Sequence, residues 1–285
     1  MKGHLLKYKF HYRAVACGLL ILVLPGCNKH NNGSDDDSGN GTTTATGCKL
    51  VKQSTNVVLT DPQYYTFEYD ANGNPSKITL SYNGAVHEVE TVHPTQMAFQ
   101  SYGQTIIYDV SYLDQRPTKA VIGNIQQVYT YDSKGRLATI IPDAHPKGDI
   151  EESKIPRMIF AYDDNNNVIK IAFHTDFEGD YATLVATGYD NHPSSCSGFK
   201  NSAFLQYSFF WEGLDPANSR YMFDQLSAHN ILGYTLTYNN GYATAETFTY
   251  TYNDKGLPTQ RDAALGKPGE TPTKKYYDAW EYDCK

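Results

Sequence analysis

From Cys48 onward the chain is organised by an alternation of period two. Ile78-Thr-Leu80-Ser-Tyr82 and Tyr234-Thr-Leu236-Thr-Tyr238 place apolar side chains on every second residue and end in Asn83-Gly84 and Asn239-Asn240-Gly241. Alternation of this kind lines one face of a half-buried strand, and Asn-Gly between two such runs predicts a hairpin. A longer unit recurs with it: Phe67-Glu-Tyr69-Asp70-Ala-Asn-Gly73, Tyr129-Thr-Tyr131-Asp132-Ser-Lys-Gly135, Phe160-Ala-Tyr162-Asp163-Asp-Asn-Asn166 and Tyr250-Thr-Tyr252-Asn253-Asp-Lys-Gly256. In each copy an aromatic precedes the Tyr by two, Asp or Asn follows it, and Gly or Asn stands four after it. Asp or Asn ends the strand in an Asx turn, and the fourth position calls for a positive φ, which Gly adopts freely and Asn tolerates. A return strand then carries Ile78, Ile140 or Ile171 nine residues after the Tyr; the fourth copy has Arg261, which predicts a return strand that is exposed or short.

The Tyr positions are separated by 62, 31 and 90 residues, near two, one and three units of about thirty, so diverged units are expected in the gaps. One stretch breaks the pattern. Asp215-Pro216 pairs an N-cap with proline at the first helical turn, and Tyr221, Met222, Phe223 and Leu226 follow, predicting a short helix over 216–226 that covers an end or edge of the sheet. The expectation is an all-β domain over 48–285, a long antiparallel meander curling into an open, barrel-like roll, with a two-sheet sandwich as the alternative. Composition agrees: 24 Tyr against 12 Phe and 2 Trp favours half-buried strands with the ring in the core and the hydroxyl toward water.

The N-terminal segment follows another logic. Lys2, Lys7, Lys9 and Arg13 precede an uncharged run from Ala14 to Leu24. Eleven residues of helix span ~16 Å, too little for a ~30 Å hydrocarbon core, so residues 1–26 read as a signal peptide. Leu24-Pro25-Gly26-Cys27 resembles the lipobox of bacterial lipoproteins, in which the Cys is diacylated, becomes the mature N-terminus and is acylated again. That resemblance implies lipid attachment at Cys27, with diacylglycerol and a further acyl chain such as palmitate. Residues 28–47 contain no large apolar side chain and read as a disordered tether of roughly 25 Å. Within it Ser34-Asp35-Asp36-Asp37 resembles the acidic signal of outer-surface lipoproteins, implying an outer-membrane location facing the exterior, with the periplasmic face as the alternative. Four of the 24 basic residues and none of the 31 acidic ones precede Cys27, so cleavage takes the net charge from −7 to −11, which argues against a nucleic-acid partner.

The repeat units resemble the YD repeats of Rhs-type and wall-associated bacterial surface proteins. Across most of 48–285 the layout is similar to Tyr-rich lipoproteins of Gram-negative bacteria grouped as domains of unknown function. The shared features are the lipobox, the linker, a Cys opening the domain, Tyr189-Asp-Asn-His-Pro193 and the aromatic-rich Tyr276-Tyr-Asp-Ala-Trp280-Glu-Tyr282. The resemblance implies a fold and an envelope location, and no activity.

Motifs that would carry chemistry are sparse. Cys48, Cys196 and Cys284 remain after Cys27. A Cys48–Cys284 bond would clasp the ends of the domain; a pair with Cys196, or no bond, stays open. No two histidines of the mature chain have i, i+2 or i, i+4 spacing, and neither a hydrolase nor a phosphate-binding motif is present. Ser197-Gly-Phe-Lys200 matches Ser-x-x-Lys without its partner motifs. Asp70-x-Asn-x-Asn74 and Asp163-x-Asn-x-Asn167 begin like calcium loops but have Ser81 and His174 where Glu is required, so they read as turns. Neither a metal nor a cofactor is expected. Phe209-Phe210-Trp211 and Trp280 are candidates for stacking on sugar rings, against the plainer expectation that such aromatics form the core. A surface binding module for a glycan or another surface protein is the leading expectation, ahead of a structural envelope lipoprotein and a glycan hydrolase.

Overall fold

A computed structural model describes residues 48–284 apart from 57–61, 70–74, 93–95, 102–103, 114–115, 123–124, 145–156 and 196–215. The signal peptide, Cys27, the tether, the first Tyr-Asp turn, Asp215, Cys196 and Phe209–Trp211 lie outside the described residues. Sixteen strands follow in chain order: β1 Cys48–Thr55, β2 Gln63–Tyr69, β3 Pro75–Tyr82, β4 Ala85–Val92, β5 Gln96–Ser101, β6 Gln104–Leu113, β7 Arg116–Ile122 and β8 Ile125–Tyr131. Then come β9 Leu137–Ala144, β10 Arg157–Tyr162, β11 Val168–Thr175, β12 Gly179–Pro193, β13 His229–Tyr238, β14 Ala243–Tyr252, β15 Pro258–Gly266 and β16 Lys274–Cys284. A 3-10 turn over Asn218–Arg220 leads into helix α1, Tyr221–Leu226, between β12 and β13.

Every strand pairs antiparallel with its sequence neighbours, so the chain is the expected all-β meander in one sheet, with the one short helix. The roll continues until β16 meets β1, with Cys48 opposite Cys284 and Thr55 opposite Asp278. That seam leaves no free edge in the ring. Cys48 and Cys284 are joined in a disulfide across it.

An even-stranded meander sorts its turns between two poles. One pole gathers the described Tyr-Asp turns together with the first residue of β1 and the last of β16; the other gathers plain hairpins such as Asn83-Gly84 and Asn239–Gly241. The Tyr-Asp turns are built as their sequence predicts. Asp132 Oδ1 accepts the amides of Lys134 and Arg136, Asp163 Oδ1 that of Asn167, and Asn253 Oδ1 those of Lys255 and Leu257. The residue four after the Tyr has φ of 76° at Gly135, 64° at Asn166 and 74° at Gly256. At Gly135 a Cβ would also run into the Arg116 guanidinium. Gly135→Ala is therefore expected to lower stability by ~1–2 kcal/mol, read as a shift in the urea midpoint at unchanged slope.

The Tyr of each of the first three units ties it to the strand before, whereas Tyr252 of the fourth donates to Asp190 on β12, two strands back. Tyr69, Tyr131 and Tyr162 donate to the carbonyls of Leu50, Pro117 and Leu137 at 2.5, 2.8 and 3.0 Å. Burial pushes the Tyr131 and Tyr162 hydroxyls well up, which keeps them protonated as donors. A cation from the preceding unit lies over each of those two rings, Arg116 on Tyr131 and Arg136 on Tyr162. The spacing of units differs from the expected thirty. Two short hairpin connections, β4–β5 and β6–β7, fit between Tyr69 and Tyr131, whereas only β12–β13 lies between Tyr162 and Tyr252. The β4–β5 and β6–β7 connections are two or three residues long, and the one carrying α1 is far longer.

Inward positions are apolar and buried. One cluster includes Tyr108, Ile140, Met158, Ile171 and Phe173; a second joins Leu50, Tyr65, Phe67, Ile78, Leu80 and Trp280. Outward positions are polar along β14 (Thr247, Thr249, Thr251) and β15 (Gln260, Asp262), while β4, β6 and β12 also expose Val86, Ile107 and Val185. Ion pairs cross between neighbouring strands there, Lys52 with Glu281 at 2.8 Å and Lys77 with Glu68 at 2.6 Å.

The short helix forms in the β12–β13 connection, with Met222 and Phe223 fully buried in the core and Phe223 stacking on Tyr234 of β13. Two expectations change inside the ring. Arg261 is neither exposed nor at a short strand; it is 2% exposed on the nine-residue β15. Its guanidinium holds Asp278 Oδ2 from two nitrogens at 2.9 and 2.7 Å and Asp224 Oδ2 of α1 at 2.7 Å. Trp280 is 4% exposed, stacked on Tyr250 and covered by Arg261, so it is a core aromatic and presents no face to a ligand. A second buried pair, Arg220 with Glu246 at 3.1 Å, fixes the start of the helix, and Tyr276 donates to the other Glu246 oxygen.

Candidate functional site

At the Tyr-Asp pole the sheet opens locally. β12 runs in register with β13 as far as Ala186↔Tyr234, then bulges between Ala186 and Gly188, between Gly188 and Tyr189, and between Tyr189 and Pro193. Gly233, opposite Gly188, permits this approach: a Cβ there would stand 2.5 Å from the Glu246 carbonyl and 2.8 Å from Thr187 Oγ1. The bulged strand, the β10–β11 turn and the start of β13 enclose a cavity of about 340 Å³, lined by Asp163, Asn165, Asn167, Ile169, Ala186 to Asn191 and His229. Bulges beside functional clefts are a recurrent device for re-aiming side chains.

The walls are held by polar pairs. Asp163, the Asx residue of the third repeat, accepts from the Asn167 amide at 2.8 Å and from Asn167 Nδ2 at 3.0 Å. That orients the carboxamide so that Asn167 Oδ1 accepts, taking the His229 amide at 3.0 Å and His229 Nδ1 at 3.1 Å. An accepting oxygen at Nδ1 places the ring proton there and leaves Nε2 as a lone-pair acceptor. Asp163, Asn167 and His229 thus form one oriented chain, with Asn167 only 2% exposed.

Tyr189-Asp-Asn-His-Pro193 forms the opposite wall. Asp190 Oδ1 accepts the amides of His192 at 2.9 Å and Asn230 at 3.2 Å, while Oδ2 accepts Asn230 Nδ2 at 3.2 Å and the Tyr252 hydroxyl. Burial, and then the Asp190 carboxylate, pushes the Tyr252 phenol up and keeps it a donor. His192 stacks on the Tyr252 ring at 3.9 Å. Behind the wall, Tyr189 donates to the Val168 carbonyl at 2.5 Å and accepts from Ser227 Oγ at 3.1 Å. Both acidic side chains of the cavity are therefore occupied by protein donors. Among the described residues no three His, Cys, Asp or Glu side chains come together as metal ligands. The Asp163–Asn167 stretch that begins like a calcium loop is spent on its own turn and on His229.

The sequence-level candidates do not meet here. Trp280 is in the core on the far side of β14, and Cys48 and Cys284 are at the seam. Asn167 stood out only as the end of a calcium-loop-like turn and His229 not at all: they are 62 residues apart and meet only because β11 and β13 both flank β12.

No protein-family model matches the chain, and no curated protein matches it by sequence. Solved structures do match its fold. A porin-like protein from Bacteroides uniformis ATCC 8492 superposes with a TM-score of 0.53 at 13% identity, covering 82% of this chain and 96% of that one. A porin-like protein from Bacteroides vulgatus ATCC 8482 gives 0.50 at 12% identity, covering 82% and 98%. The chain therefore shares its barrel architecture with porin-like proteins of Bacteroides.

Proposed function

We propose that this chain is a lipid-anchored envelope protein whose barrel stands in water as a binding module and does not form a pore. The observation that carries this reading is the distribution of polarity across the wall. A membrane-spanning barrel turns an apolar band outward and encloses a polar lumen. Here threonines, glutamines and cross-strand ion pairs share the outer face with scattered apolar residues such as Val86, Ile107 and Val185, and the inward face is largely apolar, holds two buried ion-pair groups and packs around a helix. Such an outer face favours water over hydrocarbon, so attachment falls to the lipobox-like Leu24-Pro-Gly-Cys27 and the tether beyond it. Several acyl chains, at ~0.8 kcal/mol per buried CH2, suffice for durable anchoring. An outer-surface location follows as part of the proposal from the acidic Ser34–Asp37 stretch. The occupied carboxylates of Asp163 and Asp190 weigh against hydrolysis, which needs an acid and a base free to exchange protons.

The test is to express the full chain and its Cys27→Ser variant in a Gram-negative host fed a tagged palmitate, and to reconstitute the purified full chain into planar bilayers. Wild type is expected to take up the label and stay with membranes through an alkaline wash, Cys27→Ser to lose both, and neither to give stepwise conductance. Conductance, or membrane retention of Cys27→Ser, would overturn the reading.

A further inference from the structure

We propose that the cavity at the β12 bulge is a saccharide site, in which an uncharged, hydroxyl-rich ligand donates to His229 Nε2. This inference rests on the reading of the barrel as a binding module and goes on to name its ligand class and site. The cavity, at about 340 Å³, is near the lower end of the roughly 300–1,000 Å³ typical of small-ligand sites. What it offers a ligand follows from which polar groups are already used. Asp163 and Asp190 lend negative charge, which repels anions, but their oxygens accept from Asn167, His192, Asn230 and Tyr252, so they make a poor cation cage.

Three polar side chains on the rim, Asn165, Thr187 and Asn191, make no hydrogen bond to another side chain among the described residues. They supply neutral donors and acceptors. His229 adds a fixed lone pair at Nε2, because Nδ1 is committed to Asn167. Neutral amides, a hydroxyl and an imidazole lone pair complement the hydroxyls of a sugar, each of which both donates and accepts. The ring's C–H face needs an apolar surface, and Ile169 supplies it from within the cavity, 42% exposed. Leu232, 40% exposed, lies beside the bulge, 3.9 Å from where a Cβ on Gly188 would stand.

The full chain, purified in detergent micelles, would be titrated with methyl glycosides of the common hexoses and N-acetylhexosamines and with their oligosaccharides. Inorganic phosphate and calcium ion serve as contrasting probes. Binding is read by calorimetry, and the site by the 15N shift of His229 Nε2. One class of saccharide is expected to bind saturably and move that resonance, His229→Phe to weaken it about tenfold, and Thr187→Trp, a change at an exposed rim position, to abolish it with the melting temperature unchanged. Saccharide binding that ignores both variants would overturn this site and leave the binding-module reading standing. A His229 resonance moved by phosphate or calcium, or by none of the probes, would overturn the ligand class; the bilayer experiment judges the module independently.

Discussion

Arg261→Met is expected to lower the unfolding free energy by about 3–5 kcal/mol at neutral pH, the usual cost of stripping the partner from buried charges. The guanidinium is the shared counter-ion of Asp278 on β16 and Asp224 on α1, all three within the core, and it is stacked between Phe248 and Trp280. Without it two carboxylates face each other in an apolar interior. The loss carries a pH signature. Burial already holds the Asp224 carboxyl above its ordinary range, and Arg261 is the main influence pulling it back down. An acid whose folded pKa is raised contributes stability that is fully present below its unfolded pKa and lost as pH rises through the folded one. The variant should therefore recover part of its deficit on acidification, as Asp224 takes up a proton. Denaturant midpoints of wild type and variant from neutral to acid pH check it; an equal deficit at both ends would mean that Asp224 stays ionised. Replacing all three residues by apolar ones of similar volume should cost far less than Arg261→Met alone.

The second large effect concerns the seam. Cys48 and Cys284 are 236 residues apart and bonded where the first and last strands meet. In the chain-entropy picture a cross-link closing a loop of this length removes about 5 kcal/mol of freedom from the unfolded chain. The Cys48→Ser, Cys284→Ser double variant is expected to melt roughly 10–20 °C lower. β1 and β16 should still pair, since Gln53 opposite Trp280 and Thr55 opposite Asp278 continue the ladder well inside the bond. Hydrogen exchange separates the two contributions: slow exchange of the Gln53 and Ser54 amides in the variant would show the seam holding without its clasp, and fast exchange would show the bond closing the ring.

What the sequence disclosed was local. Asp132 and Asn253 end their strands by hydrogen bonds within five residues, so their turns and the positive φ at Gly135 and Gly256 are legible without any tertiary context. Arg261 was misread for the opposite reason. It occupies the place of Ile78, Ile140 and Ile171, and its burial depends on Asp278, opposite it on the neighbouring β16, and on Asp224, 37 residues back on the helix inside the ring. Regular spacing failed where the connections between strands differ in length, from the short one between β6 and β7 to the long one between β12 and β13. The cavity was invisible because a bulge has no sequence signature when neither strand is known to be its neighbour's partner, and because Asn167 and His229 announce nothing singly.

The even number of strands bears on how the molecule can be re-cut. Cys48 and Cys284 have Cα atoms 4.0 Å apart, so a few glycines would join the two ends, and new ends could be opened at Asn83-Gly84 or Asn240-Gly241 without breaking one strand pairing. Such a circular permutant would keep its hydrogen-bonded ring and hang from the opposite pole. Any leader grafted to its new start would then present the Tyr-Asp turns, and the cavity beside them, away from the point of attachment instead of toward it.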